Sequence, residues 1–113
     1  MKIFLKSKIH RARVTDANPD YIGSISIDSI LMEKSGIEEY EKVAVWNISN
    51  GERIETYVLK AKSGSGTICL NGAAARKFSI GDLVIIAAFE LTDVPSKPKI
   101  VLVNKENKPE KFL

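Results

Sequence analysis

The sequence predicts a mainly-β fold, a small closed barrel with a few short helices. Three observations carry that reading. Short apolar stretches alternate with polar residues at the period of two that half-buried strands require. Asn, Gly, Asp and Pro residues punctuate them at close intervals. A chain of 113 residues also makes a sheet too small to leave its edges bare, and closure into a barrel hides them.

Each element follows from local pattern. Residues 2–11 form the first strand, with Ile3, Leu5 and Ile9 alternating against Lys6, Lys8 and His10. Residues 15–21, containing Asp16, Asn18, Pro19 and Asp20, read as a turn-rich loop, and residues 22–27 as a second strand. Asp28 is placed to N-cap a helix over residues 29–35, with Gly36 as its C′ residue. Residues 43–48 and 53–61 are strand-like and joined by Ser49-Asn50-Gly51, whose Asn-Gly pair predicts the positive φ angles of a tight hairpin. Residues 67–70 form a further strand, and Asn71-Gly72-Ala73-Ala74-Ala75 reads as a short helix capped by Asn71. A turn at 79–82 leads into residues 83–89, apolar throughout and expected to be buried on both faces. Residues 93–98 are a linker, 99–103 a last strand, and 104–113 a polar tail expected to be loose. The whole of 1–113 is expected to form a single domain.

Composition narrows the function. With 44% hydrophobic and 27% charged residues, disorder is not the default. No apolar run approaches the roughly 18 residues of a membrane span, and residues 1–5 are too short and too interrupted by lysine for a signal-peptide core, so a cytoplasmic protein without membrane contact is expected. The single cysteine, Cys69, excludes an internal disulfide, and one Cys with one His excludes a structural zinc site. Cys69 is read as a small core residue. The net charge of +3 comes from scattered lysines with glutamates mixed in near the C-terminus. One Trp, three Tyr and four Phe do not interleave with a basic stripe, so no nucleic-acid partner is expected.

Conventional catalytic constellations are absent: no metal cluster, no phosphate-cradling Gly loop, no Ser/His/Asp set at a telling spacing. A non-enzymatic small basic β-barrel binding module has this appearance. So does an enzyme whose reactive group is made from its own chain.

The ordered motifs favour the second. Lys8-Ile9-His10-Arg11 is followed by Tyr21-Ile22-Gly23-Ser24, then Trp46-Asn47 and Asn50-Gly51 before Arg53, then Thr56-Tyr57, Asn71-Gly72-Ala73-Ala74-Ala75 and Gly81-Asp82-Leu83-Val84-Ile85-Ile86. Each is weak alone, a Gly-Ser pair especially. Together, in order and at these spacings over most of the chain, they resemble the bacterial aspartate 1-decarboxylase family of pantothenate biosynthesis.

The resemblance implies a six-stranded double-psi β-barrel and a homotetramer with active sites between neighbouring subunits. It implies pyruvoyl-dependent decarboxylation of L-aspartate to β-alanine and CO2, with no metal, after self-cleavage at Gly23–Ser24 into chains 1–23 and 24–113. In that chemistry the Ser24 hydroxyl attacks the Gly23 carbonyl, and the amide becomes an ester. Elimination then leaves a dehydroalanine, which hydrolyses to a pyruvoyl group with loss of ammonia. The ketone at position 24 forms a Schiff base with the substrate amine and takes up the electrons left by CO2. The resemblance makes Thr56 the oxyanion stabiliser of self-cleavage and Tyr57 the proton donor of turnover. Arg53 offers a planar fork for a carboxylate, and Lys8 adds charge. Asn71, Gly72, Ala73 and Ala74 complete substrate binding, and His10, Trp46 and Tyr21 line the pocket. Spontaneous and helper-assisted maturation are both compatible with the sequence.

One geometric conflict stands out. In a regular strand Arg53 and Tyr57 face one way and Thr56 the other. Either a bulge intervenes or the strand serves two sites at a subunit boundary, and the resemblance favours the second.

Overall fold

A computed structural model describes residues 1–113. Its strands are β1 (Lys2–Arg13), β2 (Asp16–Asn18), β3 (Ser24–Asp28), β4 (Lys42–Asn47), β5 (Arg53–Ala61), β6 (Ile68–Asn71), β7 (Leu83–Thr92), β8 (Lys99–Val103) and β9 (Pro109–Phe112). A short helix α1 (Ser29–Ser35) follows β3, and a 3-10 helix (Gly72–Lys77) follows β6. The strands lie in the order β2-β6-β3-β5-β4-β7-β1-β8-β9.

That order closes into a barrel because β1 and β2 are nearly continuous. β1 pairs antiparallel with β7, while β2 pairs parallel with β6 at the other end of the series. Between them the Val14 N–H donates to the Asp82 carbonyl and the Thr15 N–H to the Ile68 carbonyl. Taken as one bent strand, β1–β2 joins β6, β3, β5, β4 and β7 in a ring of six. The expected closed barrel is therefore present, and no long bare edge remains in the ring. A bulge at Arg11, whose φ of 64° lies in the left-handed region, bends β1 toward its second partner.

One cluster of 20 buried apolar residues fills the ring and extends to α1 and β8; the ring supplies Ile9, Ile25, Ile27, Val43, Val45, Val58, Ile68, Leu70, Val84 and Ile86 among them. They come from alternate positions of the strands, so the residues between them stand on the outer face. Each such aliphatic side chain contributes about 1.5–3 kcal/mol on burial, which fixes the strand registers and with them the outer face.

The α1 helix forms as its caps predict. Asp28 Oδ1 accepts from the Ile30 N–H at 2.9 Å, and Gly36 at φ 75° ends the helix. Asp28 also accepts from the N–H groups of Gly64 and Gly66 at 2.9 and 2.8 Å, so this buried carboxylate fastens the end of β3 to a distant turn.

Several local expectations need correction. The loop at 15–21 contains β2, because the chain there must pair with β6 to close the ring. The second strand begins at Ser24, two residues later than expected. In the β4–β5 connection only Gly51 has positive φ, at 81°, and its N–H donates to the Asn47 carbonyl four residues back, so the turn is wider than a two-residue hairpin. Within β7, Val84, Ile86, Ala87 and Ala88 are buried, but Phe89 is 40% exposed because the strand runs on past the ring. The tail is not loose: β9 pairs with β8, and Asn107 is buried. The Asn107 amide donates to the carbonyls of Arg13 and Gly66 and accepts from the Arg13 N–H, each at 2.8 Å, so it stands in for a missing strand neighbour. No helix is long and apolar enough to cross a membrane.

Candidate active site

The antiparallel pairing of β3 with β6 sets Ser24 opposite Asn71 and Ser26 opposite Cys69. The alternate residues Ile25, Ile27, Ile68 and Leu70 point into the core, so these four polar side chains share the other face. There the Asn71 amide donates to Ser24 Oγ at 2.8 Å and to Ser26 Oγ at 3.1 Å. Cys69 donates through its thiol to Asn71 Oδ1 at 3.2 Å. Ser24 has no exposed surface, whereas Gly23, next to it, is exposed. The chain thus passes from open backbone to a held hydroxyl across one peptide bond.

Asn71 departs from its expected helix-capping role. It makes no side-chain cap bond to the 3-10 helix, because its Oδ1, the atom that would cap, accepts from the Cys69 thiol while its nitrogen donates to the serines. Cys69 is half-buried on the polar face and is not a core residue, again because β6 sends Ile68 and Leu70 inward. Burial pushes the Cys69 thiol up, and Asp16, its strand partner, adds to the effect.

Gly72 has φ of +71°, and a Cβ there meets Gly23 Cα at 2.6 Å, Gly23 N at 2.8 Å and the Tyr21 carbonyl at 3.1 Å. Only glycine fits so close to that backbone. Gly23 itself lies outside the left-handed region, and a Cβ on it meets only the Asn71 carbonyl, at 4.0 Å. The tight position is therefore Gly72, not Gly23. Ala73 is exposed and Ala74 half-buried where the 3-10 helix begins, and Tyr21 is exposed.

β5 runs parallel to β3, with Ile25 opposite Val58. The paired register ends there, and Ser24 and Tyr57 are the residues that precede this last pair on each strand. Val58 points into the core, so Tyr57 shares the outer face with Ser24 and Thr56 does not. No bulge interrupts β5 in its pairing with β4. The conflict seen in the sequence is real in the fold.

A second cluster lies on the same face. Trp46 and Arg53 are partners across β4 and β5, and the guanidinium sits 4.5 Å from the indole centroid. The Lys8 ammonium is 5.9 Å from the same ring. His10 lies two residues beyond Lys8 on the same side of β1, and its pKa is held below 6.5 by burial and by the charges of Lys8 and Arg11. Arg53 is four residues from Tyr57, about 13 Å along a strand. This chain thus brings Ser24, Asn71 and Gly72 together, with Tyr57 on the adjacent strand β5, and separately Lys8, His10, Trp46 and Arg53. Ser26 and Cys69 were not anticipated as parts of the site. The only signal for them is the alternation Ser24/Ser26 and Cys69/Asn71 about a shared core.

No group of three or more His, Cys, Asp or Glu side chains gathers as a metal site would require.

The sequence model of the aspartate decarboxylase family matches residues 1–110. The aspartate 1-decarboxylase of Caldicellulosiruptor bescii is 60% identical over 108 residues, covering 92% of this chain and 84% of that one. That of Syntrophus aciditrophicus is 56% identical over 110 residues, covering 94% and 95%. Among solved structures, the rationally designed protein mkDPBB_sym_86 superposes with a TM-score of 0.51 at 21% identity, covering 75% of this chain and 91% of that one. That likeness concerns the fold and agrees with a small double-psi β-barrel. With a family match spanning nearly its whole length, this chain belongs to the aspartate decarboxylase family.

Proposed function

We propose that this chain decarboxylates L-aspartate to β-alanine and CO2, supplying pantothenate synthesis, after cutting itself between Gly23 and Ser24. The observation that carries the reading is the buried Ser24 hydroxyl held 2.8 Å from the Asn71 amide, directly after an exposed glycine. Family membership supports the substrate and the reaction.

Self-cleavage begins at Ser24. Its oxygen bonds to the Gly23 carbonyl carbon, the Gly23–Ser24 C–N bond breaks, and an ester and a free amine remain. The family resemblance assigns Thr56 as the donor for the carbonyl oxygen as it gains charge, a role worth about 3–4 kcal/mol in oxyanion holes, although within this chain its side chain faces away from Ser24. The ester then eliminates: the Ser24 α-proton and the Gly23 carboxylate leave, and water replaces the nitrogen as ammonia. The residues present fit the resulting group. Asn71 presents N–H donors beside position 24, although the Ser24 hydroxyl they now hold leaves with Gly23, and the small side chains of Ala73 and Ala74 at the start of the 3-10 helix leave room around the new ketone.

A pyruvoyl group at position 24 supplies a carbonyl that receives the substrate amine and the electrons left by CO2. Tyr57, on the adjacent strand β5, donates the proton that the substrate carbon then needs. Arg53 and Lys8 bind the substrate carboxylates. Arg53 lies about 13 Å along β5 from Tyr57, a separation that favours Arg53 and Lys8 reaching the site from a neighbouring copy. A homotetramer with sites between subunits provides that arrangement. Ile3, Phe89 and Leu91, exposed beside the Trp46 cluster, provide apolar surface for the contact.

Intact-mass measurement after purification tests the reading. Fragments 1–23 and 24–113, the second blocked at its N-terminus, with CO2 released from aspartate, are expected. A chain that stays whole under all maturation conditions and releases no CO2 overturns it, and favours a binding barrel.

A further inference from the structure

We infer that Cys69 is a positioning residue for Ser24: its thiol, 3.2 Å from Asn71 Oδ1, turns the amide so that its N–H groups face Ser24 and Ser26. The inference rests on the self-cleavage reading above.

A primary amide has two orientations that differ by exchanging oxygen and nitrogen, and its partners choose between them. Ser24 and Ser26 cannot choose, since a hydroxyl both donates and accepts. A protonated thiol favours one orientation, because its S–H is held against the amide oxygen and its sulfur is only a weak acceptor. The next acceptor for Cys69, the Leu70 carbonyl, is 4.0 Å away, so the thiol's partner is the Asn71 oxygen. Burial and the facing Asp16 keep the thiol protonated and able to donate. The pairing Asp16–Cys69–Ser26 across β2, β6 and β3 holds the thiol in that place.

The orientation matters to the chemistry. As Ser24 Oγ gives up its proton and attacks Gly23, negative charge gathers near the oxygen, and an amide N–H at 2.8 Å stabilises it. The flipped amide presents its oxygen instead and opposes that charge. Ser26, 3.1 Å from the same nitrogen, occupies the second N–H and keeps the amide plane fixed.

Four variants test this by the rate at which the purified precursor converts to fragments 1–23 and 24–113, with thermal unfolding alongside. Cys69→Ala is expected to slow cleavage about tenfold, the loss of roughly one hydrogen bond. Cys69→Ser, which keeps a donor, is expected within about threefold of the parent. In an Asn71→Ala background, Cys69→Ala is expected to slow cleavage no further, because its effect passes through the amide. Parental rates in Cys69→Ala overturn the inference. So does Cys69→Ser no faster than Cys69→Ala, or a loss that adds to that of Asn71→Ala, since either marks Cys69 as a packing residue. A parent chain that never cleaves defeats the self-cleavage reading itself, which is a different result from a parent that cleaves and a Cys69→Ala variant that keeps pace.

Discussion

Ser24 and Arg53 stand on the same outer face of the barrel, yet the ground around them differs. Ser24 is buried, and a chain of hydrogen bonds from Cys69 through Asn71 ends on its hydroxyl. Its strand is also pinned at the far end, where Asp28 accepts from three backbone N–H groups. Arg53 is exposed, makes no ion pair, and rests only on the Trp46 ring with Lys8 nearby. The two regions answer different demands. A peptide bond attacked by its own neighbour needs its atoms held within one chain, since a misplacement of about 1 Å costs on the order of 100-fold. On the proposed reading, groups that capture a substrate can stay open until a second copy completes the site.

Substitutions can break that comparison, the largest effect first. Ser24→Ala removes the attacking oxygen, and both cleavage and CO2 release are expected to vanish, with the intact 113-residue mass persisting. Tyr57→Phe leaves cleavage in place and lowers kcat about 100-fold or more, as loss of a positioned acid does. Normal turnover by that variant assigns the proton to another group or to water. Arg53→Lys keeps the charge but loses the fork, so KM for aspartate is expected to rise about tenfold with cleavage unchanged. A cleavage defect there instead places Arg53 with Ser24 and dissolves the distinction between the two regions.

The smallest effect concerns acid stability. Burial alone raises the Asp28 carboxyl, but the N–H groups of Ile30, Gly66 and Gly64 and the charge of Lys108 bring it below its usual 3.8. A lowered folded pKa means the unfolded chain binds more protons, so the stabilisation is complete above about pH 4 and fades as pH falls through the folded value. Asp28→Asn is expected to unfold more readily in urea at pH 7, and to show a flatter decline below pH 4 than the parent. Equal acid slopes assign the decline to other carboxylates.

Much of the barrel was legible from local pattern. Asp28 and Gly36 marked the limits of α1, and the alternation in residues 2–11 marked β1, because caps and period depend on neighbours in the chain. The Asn-Gly turn misled, since Asn47 and Asn50 are drawn to Lys77 and Asp82 and the loop widens around them. The tail misled for a similar reason: Asn107 looks like any polar residue until its amide meets Arg13, 94 positions away.

The site divides the same way. Ordered motifs were enough to single out Ser24, Tyr57, Arg53 and Asn71 as candidates and to expose the conflict between Thr56 and its neighbours on β5. What Asn71 does, why Gly72 must be glycine, and how far Arg53 lies from Ser24 were decided by tertiary structure. These depend on register between β3, β5 and β6, which is set by burying Ile25, Ile27, Val58, Ile68 and Leu70 together. The sequence by itself determined most of the strands, the caps of α1 and the family. The placement of one polar face relative to another was settled by packing, because the residues that set it are far apart in the chain and meet only in the core.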